Sequence, residues 1–328
     1  MRVGVLSNRF TYSSGNKEVE ADLSEVAESI QKSLSSLGYE IIFFDVDSTD
    51  FNDFKKKNID VVFNVCERYK GDAHNEGLVI EMLENANVPF TGSPSSALKL
   101  CNDKAKIKEL LIKHKISTPN SQIFKTGDEK INESFKFPLI VKPTLEHNSI
   151  GITDDAIVKS EEQLRRQVKK IIMEFKQPCL AEEFIKGKDI EINILGSGND
   201  LKVLPLAEIE YEKYKGDKNE IFFSYENKWN EESDVYGDYI FPDNIPKDVE
   251  SKMKEIAVYL YKLTGLRDYG RIDFRLTKDN VPYVIEVTAN PGLSEVCSSP
   301  EAYEHMGLSY GDLMRDILNY ALKRYNIK

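Results

Sequence analysis

The sequence predicts an α/β protein, and three observations predict it. Short apolar runs near the start alternate with an amphipathic helical pattern. After Pro119, short strands and helices alternate through Phe137-Pro138-Leu139-Ile140-Val141-Lys142-Pro143. Near the end, Gly270 to Leu276 and Val284 to Gly292 flank a polar turn at Lys278-Asp279-Asn280, and both flanks alternate like strands.

Taken in order, Val3 to Leu6 reads as a strand. Val26, Ile30, Leu34 and Leu37 mark one helical face that stops at Gly38, and Ile41 to Phe44 and Val61 to Val65 are further apolar strands. This β-α-β alternation predicts a mostly parallel sheet covered by helices. Ligand-contacting residues then belong in loops after the strands, where Asn64, Glu67 and Gly71 fall. From about Asn102 the character changes, beginning with a lysine-rich helix from Lys104 to Lys113. Val249, Met253, Ile256, Leu260 and Leu263 form another helical stripe that ends near Gly265. The polar runs Glu212 to Glu220 and Asn227 to Asp238 read as mobile loops. There is no internal repeat.

With 328 residues the chain is long enough for two or three modest domains. Its 55 acidic and 44 basic residues give a formal charge of -11, which argues against sequence-independent attraction to nucleic acid or anionic membrane. No stretch approaches the ~20 apolar residues of a membrane span, so a cytoplasmic protein is expected. Cys66, Cys101, Cys179 and Cys297 are far apart, without a Cys-x-x-Cys pair, and read as small apolar residues in a reducing compartment.

A turn centred between Asp279 and Asn280 sets Asp273 directly opposite Glu286, with Arg271 and Arg275 on the Asp273 face. Like charges so placed destabilise a sheet unless something positive sits between them, and carboxylate oxygens suit Mg2+. A divalent cation beside arginines is equipment for a transferring phosphoryl group. On this segment alone, an exposed salt-bridged hairpin accounts for the residues equally well.

Lys142 ends an apolar strand and is followed by Thr144-Leu145-Glu146-His147-Asn148-Ser149-Ile150-Gly151, a polar loop able to fold its amides over phosphates while Gly151 permits close approach to the ligand. A plain turn is the other account. Glu182, Glu183 and the acids up to Glu191 offer acceptors to an adenine amino group and ribose hydroxyls, or form a charged turn between strands.

Together these motifs resemble the ATP-grasp superfamily and, within it, the D-alanine-D-alanine ligases. The resemblance rests on Phe63-Asn64, Val88-Pro89-Phe90-Thr91-Gly92-Ser93, Asn102-Asp103-Lys104, Lys142-Pro143 to Gly151, Glu182 to Asp189, Gly270 to Asp273, and Glu286 through Pro291-Gly292, in that order. It implies a parallel, Rossmann-like domain over residues 1–98, then a two-subdomain α+β ATP-grasp fold, 99–180 and 181–328, with ATP between two β-sheets. It implies Lys104 and Lys142 on the ATP phosphates, Glu182, Glu183 and Ile185 around adenine, and Asp189 on ribose. Asp273 and Glu286 hold Mg2+, one ion or two, with Mn2+ as a substitute. Arg271 stabilises the oxyanion formed when an amine attacks an acyl phosphate, and Lys228 closes over the γ-phosphate with the loop that carries it. Asn148 and Ser149 complete the catalytic set. The related ligases also commonly form homodimers through the first domain.

Departures from the pattern bear on the substrates. Thr288 stands where the family places a metal-binding asparagine, and Asn290 lies on the same face by period two. Asn16, Asn148 and Trp229 stand where the family anchors its first substrate with glutamate, serine and tyrosine, and Glu18 is near enough to restore the first. Cys297, flanked by Ser298, stands where a serine meets the second substrate's carboxylate. Glu67 and Gly292 complete the expected substrate set. Trp229 offers an apolar face to a bulkier first substrate or packs the closing loop. The expectation is an ATP- and Mg2+-dependent carboxylate-amine ligase acting on small amino-acid or peptide substrates other than two D-alanines. A D-alanine-D-alanine ligase, a catalytically weakened ATP-binding protein and a kinase that releases an acyl phosphate are the alternatives.

Overall fold

The computed structural model describes residues 1–9, 17–230, 233 and 236–328, with no account of the side chains of residues 17–19 and 73. Three sheets follow one another along the chain. β1 (Arg2–Ser7), β2 (Glu40–Asp45) and β3 (Val61–Asn64) form a parallel sheet in the order β2-β1-β3. The crossover helix α1 (Lys17–Ser36) buries Val26, Ile30 and Leu34 against it. Leu37, predicted to share that face, falls beyond the helix end and is exposed, because the chain is already turning into Gly38. After the short α2 (Asp53–Lys56), α3 (Glu76–Asn85) and α4 (Ser95–Cys101) lead to α5 (Lys104–Lys113), which Asp103 caps by accepting from the Lys106 amide.

β4 (Ser121–Phe124), β5 (Leu139–Pro143), β6 (Ile157–Val158) and β7 (Cys179–Glu183) form an antiparallel sheet in the order β4-β7-β5-β6. α6 (Glu161–Phe175) covers it, burying Leu164, Val168 and Ile171 in a core of its own. The third sheet is also antiparallel. It contains β8 (Lys188–Ser197), β9 (Asp200–Val203), β10 (Ala207–Glu210), β11 (Asp238–Ile240), β12 (Asp268–Leu276) and β13 (Pro282–Thr288), in the order β11-β10-β8-β12-β13 with β9 paired to β8. Apolar residues of this sheet, such as Ile190 and Ile272, share one core with Leu6, Phe44 and Phe90 of the first part of the chain.

α7 (Tyr225–Trp229) sits in the expected loop region, α8 (Lys247–Leu263) carries the predicted stripe and stops at Gly265, and α9 (Ser298–His305) and α10 (Tyr310–Tyr325) close the fold. This is the mixed α/β fold that the sequence predicts. Among the described residues no helix is long and apolar enough to cross a membrane.

The hairpin register holds at its functional centre and fails towards its tip. Asp273 faces Glu286 and Arg271 faces Thr288, as predicted, but Phe274 then faces Val284, so one extra residue is absorbed between Glu286 and Val284. The turn between Leu276 and Pro282 is therefore centred on Asp279 itself rather than between Asp279 and Asn280.

Candidate active site

A cleft of about 250 Å3 lies between the four-stranded and six-stranded sheets and opens toward the loops that follow β3. Its floor follows from strand alternation. Asp189, Glu191 and Asn193 share one face of β8, and Arg275, Asp273 and Arg271 of β12 stand directly beside them. Glu286 and Thr288 of β13 complete the row. Period two therefore collects charged side chains from three adjacent strands on one surface while Ile190, Ile192 and Ile272 fill the core behind it.

That surface is neutralised pair by pair. Arg271 clasps Asp273 with its Nε at 2.7 Å and one terminal nitrogen at 3.0 Å, and its other terminal nitrogen lies 3.2 Å from Glu191. Lys104, buried at the start of α5, lies 2.9 Å from Glu286 and also donates to the carbonyl of Glu146. Burial, reinforced by Glu191 and Glu286, holds the Asp273 carboxyl above the usual carboxylate range despite Arg271. Burial acts on Glu286 in the same sense, but Lys104, Lys142 and His147 hold it at about 2. The two facing carboxylates thus shift in opposite directions, because Glu191 and Glu286 add to burial at Asp273 whereas three cationic neighbours outweigh burial at Glu286.

Across the cleft, Lys142 of β5 and Lys108 of α5 each lie 2.5 Å from one oxygen of Glu182. All three side chains are almost fully buried. Burial lowers the Lys108 pKa, whereas Glu182 and Glu286 hold that of Lys142 up against burial. Glu182 was expected to accept from an adenine amino group, but both of its oxygens are already on ammonium groups. Glu183 accepts the Lys136 amide at 3.0 Å, and the Ile185 carbonyl accepts from Arg275. Asp189, expected on ribose, lies 2.7 Å from Arg275 and accepts from the Tyr211 hydroxyl. Lys142, Glu182, Glu183, Ile185, Asp189 and Arg275 line the cleft, with Lys108 behind them.

The loop after β5 turns through left-handed backbone at Asn148, Ser149 and Gly151. Gly151 is required, though not for ligand approach as expected: a Cβ there would come within 2.7 Å of Pro143. Asn148 is a junction, donating to Glu67 at 2.8 Å and accepting from Lys228 at 2.9 Å. Its carbonyl accepts from the Trp229 indole at 3.2 Å, and Ser149 donates to the Phe223 carbonyl at 2.8 Å. The Tyr225 amide also donates to the Ile152 carbonyl. Loops from two different sheets are thereby bonded over the cleft, with Trp229 both lining it and packing the closure.

Beyond this closure the balance turns acidic. Burial raises the pKa of Glu67 against the pull of Lys228 and Asn148, and raises that of Asp22 against the Ser294 hydroxyl and Lys228. Glu76 is pushed up to about 8 by burial, although Asn102 and Asn290 donate to it. Burial likewise pushes the Cys297 thiol up to about 11, so it is no ready nucleophile.

Two expected positions are corrected. β13 ends at Thr288, so Asn290 does not continue its ligand face; its amide donates to Glu76 and to the Cys66 carbonyl and accepts from Tyr269. Ser298 is buried behind the cleft, donating to Glu191 and accepting from Asn193. Gly292 and Cys297 do line the cleft and touch one another, since a Cβ on Gly292 would come 3.1 Å from the thiol. Asn16 lies outside the described residues, as does the side chain of Glu18.

Sequence reasoning missed Lys108, Asp22, Glu76 and Arg68, and it read Glu191 as a nucleotide acceptor rather than as a partner of Arg271. Lys108 and the Glu191 pairing carried a signal. Lys108 follows Lys104 by one helical turn, and Glu191 follows Asp189 by one strand period.

The donor set for a metal can be tested on these groups. Among the described residues no three His, Cys, Asp or Glu side chains gather closely enough to cage an ion. Mg2+ commonly takes one or two carboxylates plus substrate phosphates and water, and Asp273 with Glu286 fit that pattern, with Thr288 adjoining.

Comparison with known proteins agrees with this geometry. The family model described as D-ala D-ala ligase C-terminus matches residues 110–319. A D-alanine–D-alanine ligase of Carboxydothermus hydrogenoformans is 30% identical, covering 98% of this chain and 99% of its own. One of Bordetella avium is 30% identical over 97% and 93%. In fold, the chain is similar to the D-alanine–D-alanine ligase of Bacillus anthracis solved with ATP, with a TM-score of 0.76 over 99% of both chains at 23% identity. It is also similar to the VanG D-Ala:D-Ser ligase of Enterococcus faecalis, with a TM-score of 0.75 at 21% identity over 98% and 99%. Matched by the family model over most of its length and by relatives 30% identical over nearly all of it, the chain belongs to the D-alanine–D-alanine ligase family, ATP-dependent ligases of the ATP-grasp fold.

Proposed function

We propose that this chain is an ATP- and Mg2+-dependent carboxylate-amine ligase that forms an amide bond through an acyl phosphate, and that its substrates are amino acids or peptides other than two D-alanines. One observation carries the chemistry: Asp273 and Glu286 face each other in the cleft that also holds Lys104, Lys142 and Arg271. A free carboxylate is a poor electrophile, so activation by phosphoryl transfer suits a site with this much fixed positive charge. Lys104 and Lys142 hold phosphate oxygens, and Arg271, oriented by Asp273 and Glu191, meets the oxyanion formed when the amine attacks. A Mg2+ ion at Asp273 and Glu286 neutralises phosphate charge when bound. Asp189 and Arg275 form the nucleotide edge, and Lys228 stands at the closure. A homodimer through the first part of the chain belongs to the same proposal and is checked by light scattering.

Substrate choice rests on the other end of the cleft. Asn148 and Trp229 bind each other there, with Glu67 and Lys228 joined through Asn148. They do not reproduce the glutamate, serine and tyrosine that the resemblance implies for a D-alanine site. Each lost charge-assisted contact is worth roughly 1.5–3 kcal/mol, so losing two costs on the order of a thousandfold. Phosphate release measured across an amino-acid and dipeptide screen tests this. D-Alanine alone should give little, and turnover of it at ~1 to 10^3 per second would refute the substrate claim.

A further inference from the structure

Arg68 lies four residues beyond β3, at the carboxyl end of the parallel sheet, where open α/β sheets meet their ligands. It is 5% exposed and lines the cleft. Its main chain is fixed, because the carbonyl accepts from Asn8 at 3.0 Å and from the Cys66 thiol at 2.8 Å. Its side chain is not similarly engaged. The Nε is enclosed without a hydrogen-bond partner, and among the described residues the guanidinium has neither an ion pair nor a hydrogen bond.

The neighbouring acids whose charges Arg68 influences are otherwise occupied. Asn148 donates to Glu67, Asn102 and Asn290 donate to Glu76, and Gln177 donates to Glu146, which also lies beside His74. By contrast Lys104, Lys108, Lys142, Arg271 and Arg275 each hold a carboxylate. A permanently charged fork of five donors, withdrawn from water and left bare, is costly unless an anion arrives to meet it. A second polar atom here also lacks a partner. His147 Nε2 is buried without a hydrogen bond, and burial and Lys104 keep its ring neutral at ordinary pH, with Arg68 acting in the same sense.

We propose that Arg68 is an anion receptor of the cleft, taking two oxygens of a carboxylate or phosphoryl group on a bound ligand, with His147 beside it. The ligase reading supplies the two sources of that group, the amino-acid substrate's carboxylate and the terminal phosphate of ATP. A planar guanidinium matches both in bidentate fashion.

Arg68→Gln and Arg68→Lys, compared with the wild type, test it in three ways. Inorganic phosphate or malonate should raise the melting temperature of the wild type and leave that of Arg68→Gln unmoved. Calorimetry should show a loss of roughly tenfold in ATP affinity with ADP affinity unchanged if phosphate is the source. If the carboxylate is the source, ATP affinity stays constant while KM for whichever amino acid supports phosphate release rises roughly tenfold. Arg68→Lys keeps the charge but loses the fork, so it should fall between the two and serves if Arg68→Gln does not fold. Anion shift, ATP affinity and KM all unchanged in the variants would overturn the proposal. Absence of phosphate release from the wild type with every amino acid would instead defeat the ligase reading, leaving the anion and nucleotide measurements to decide on Arg68.

Discussion

The two ends of the cleft handle charge in opposite ways. At the β12–β13 end almost every ion already has a counter-ion, as in Arg271 with Asp273, Lys104 with Glu286, and Lys142 and Lys108 with Glu182. At the end facing the first sheet, Asp22, Glu67 and Glu76 are raised in pKa by burial, and the Arg68 side chain has no partner among the described residues. The first arrangement holds donors in place before any ligand arrives, which is what a reacting centre needs. The second sets acids held by amide and hydroxyl donors beside an Arg68 guanidinium whose charge only a bound group would meet. On the proposed function, chemistry and selectivity would be separated along one groove.

The comparison breaks most visibly at the paired end. Replacing Asp273 by Asn and Glu286 by Gln together should lower turnover by roughly a thousandfold or more, since both carboxylates that oppose the cation lose charge. Because Arg271 and Lys104 already neutralise the pair, relief of repulsion should not stabilise the fold, and a thermal melt beside a phosphate-release assay checks both statements. Retained Mg2+-dependent turnover would make the pair structural.

A smaller effect is expected from Lys142→Ala. The change removes a charge-assisted phosphate contact worth roughly 1.5–3 kcal/mol, about ten- to a hundredfold in ATP affinity by calorimetry. It also leaves Glu182 with Lys108 alone, so some loss of melting temperature should accompany it. Undiminished ATP affinity would remove Lys142 from the nucleotide end.

The acidic end is sharpened by pH. Glu76 is raised to about 8 in the folded chain, from an ordinary value of 4.5. The folded state therefore holds its proton where the unfolded chain has lost it. This contribution to stability is fully present below the unfolded value and is lost as pH rises through about 8. Glu76→Gln should flatten the fall in melting temperature between mildly acidic and mildly alkaline buffer, a difference of roughly 2–4 kcal/mol at most. Parallel curves for the two proteins would show that Glu76 is not held protonated.

Least should follow from Cys297→Ser. The thiol is held protonated at about 11, so turnover should change by no more than about threefold, whereas a nucleophile would lose nearly all activity.

Strand alternation made the reacting end legible in the sequence. Asp273 opposite Glu286 needs only the two-residue period and an approximate turn, and the pairing survives the wrong turn centre because the extra residue lies beyond it. Ion pairs between distant segments were not legible. Nothing local in Glu182 announces that Lys108 and Lys142 will occupy both its oxygens, because α5 and β5 meet it only after the chain has folded. Ser298 shows the same limit: its position beside Cys297 suggested the substrate side, but the α9 start turns it inward to Glu191. Arg68 carried no periodic signal at all, lying in a loop whose course is fixed by Asn8 and Cys66.

The bonds between the loop after β5 and the segment leading into α7 should set a rate as well as a shape. Ser149 to Phe223, Tyr225 to Ile152 and Trp229 to Asn148 each end on a main-chain carbonyl. Such acceptors remain whatever the side chains become. Anything enclosed would have to wait for these contacts to part, at roughly 1 kcal/mol each, so the fastening should slow exchange of products on the order of a hundredfold against an unfastened loop. Release, rather than bond making, is then the step that the fastening controls, and weakening it should shorten the dwell time of ADP before it changes the chemistry.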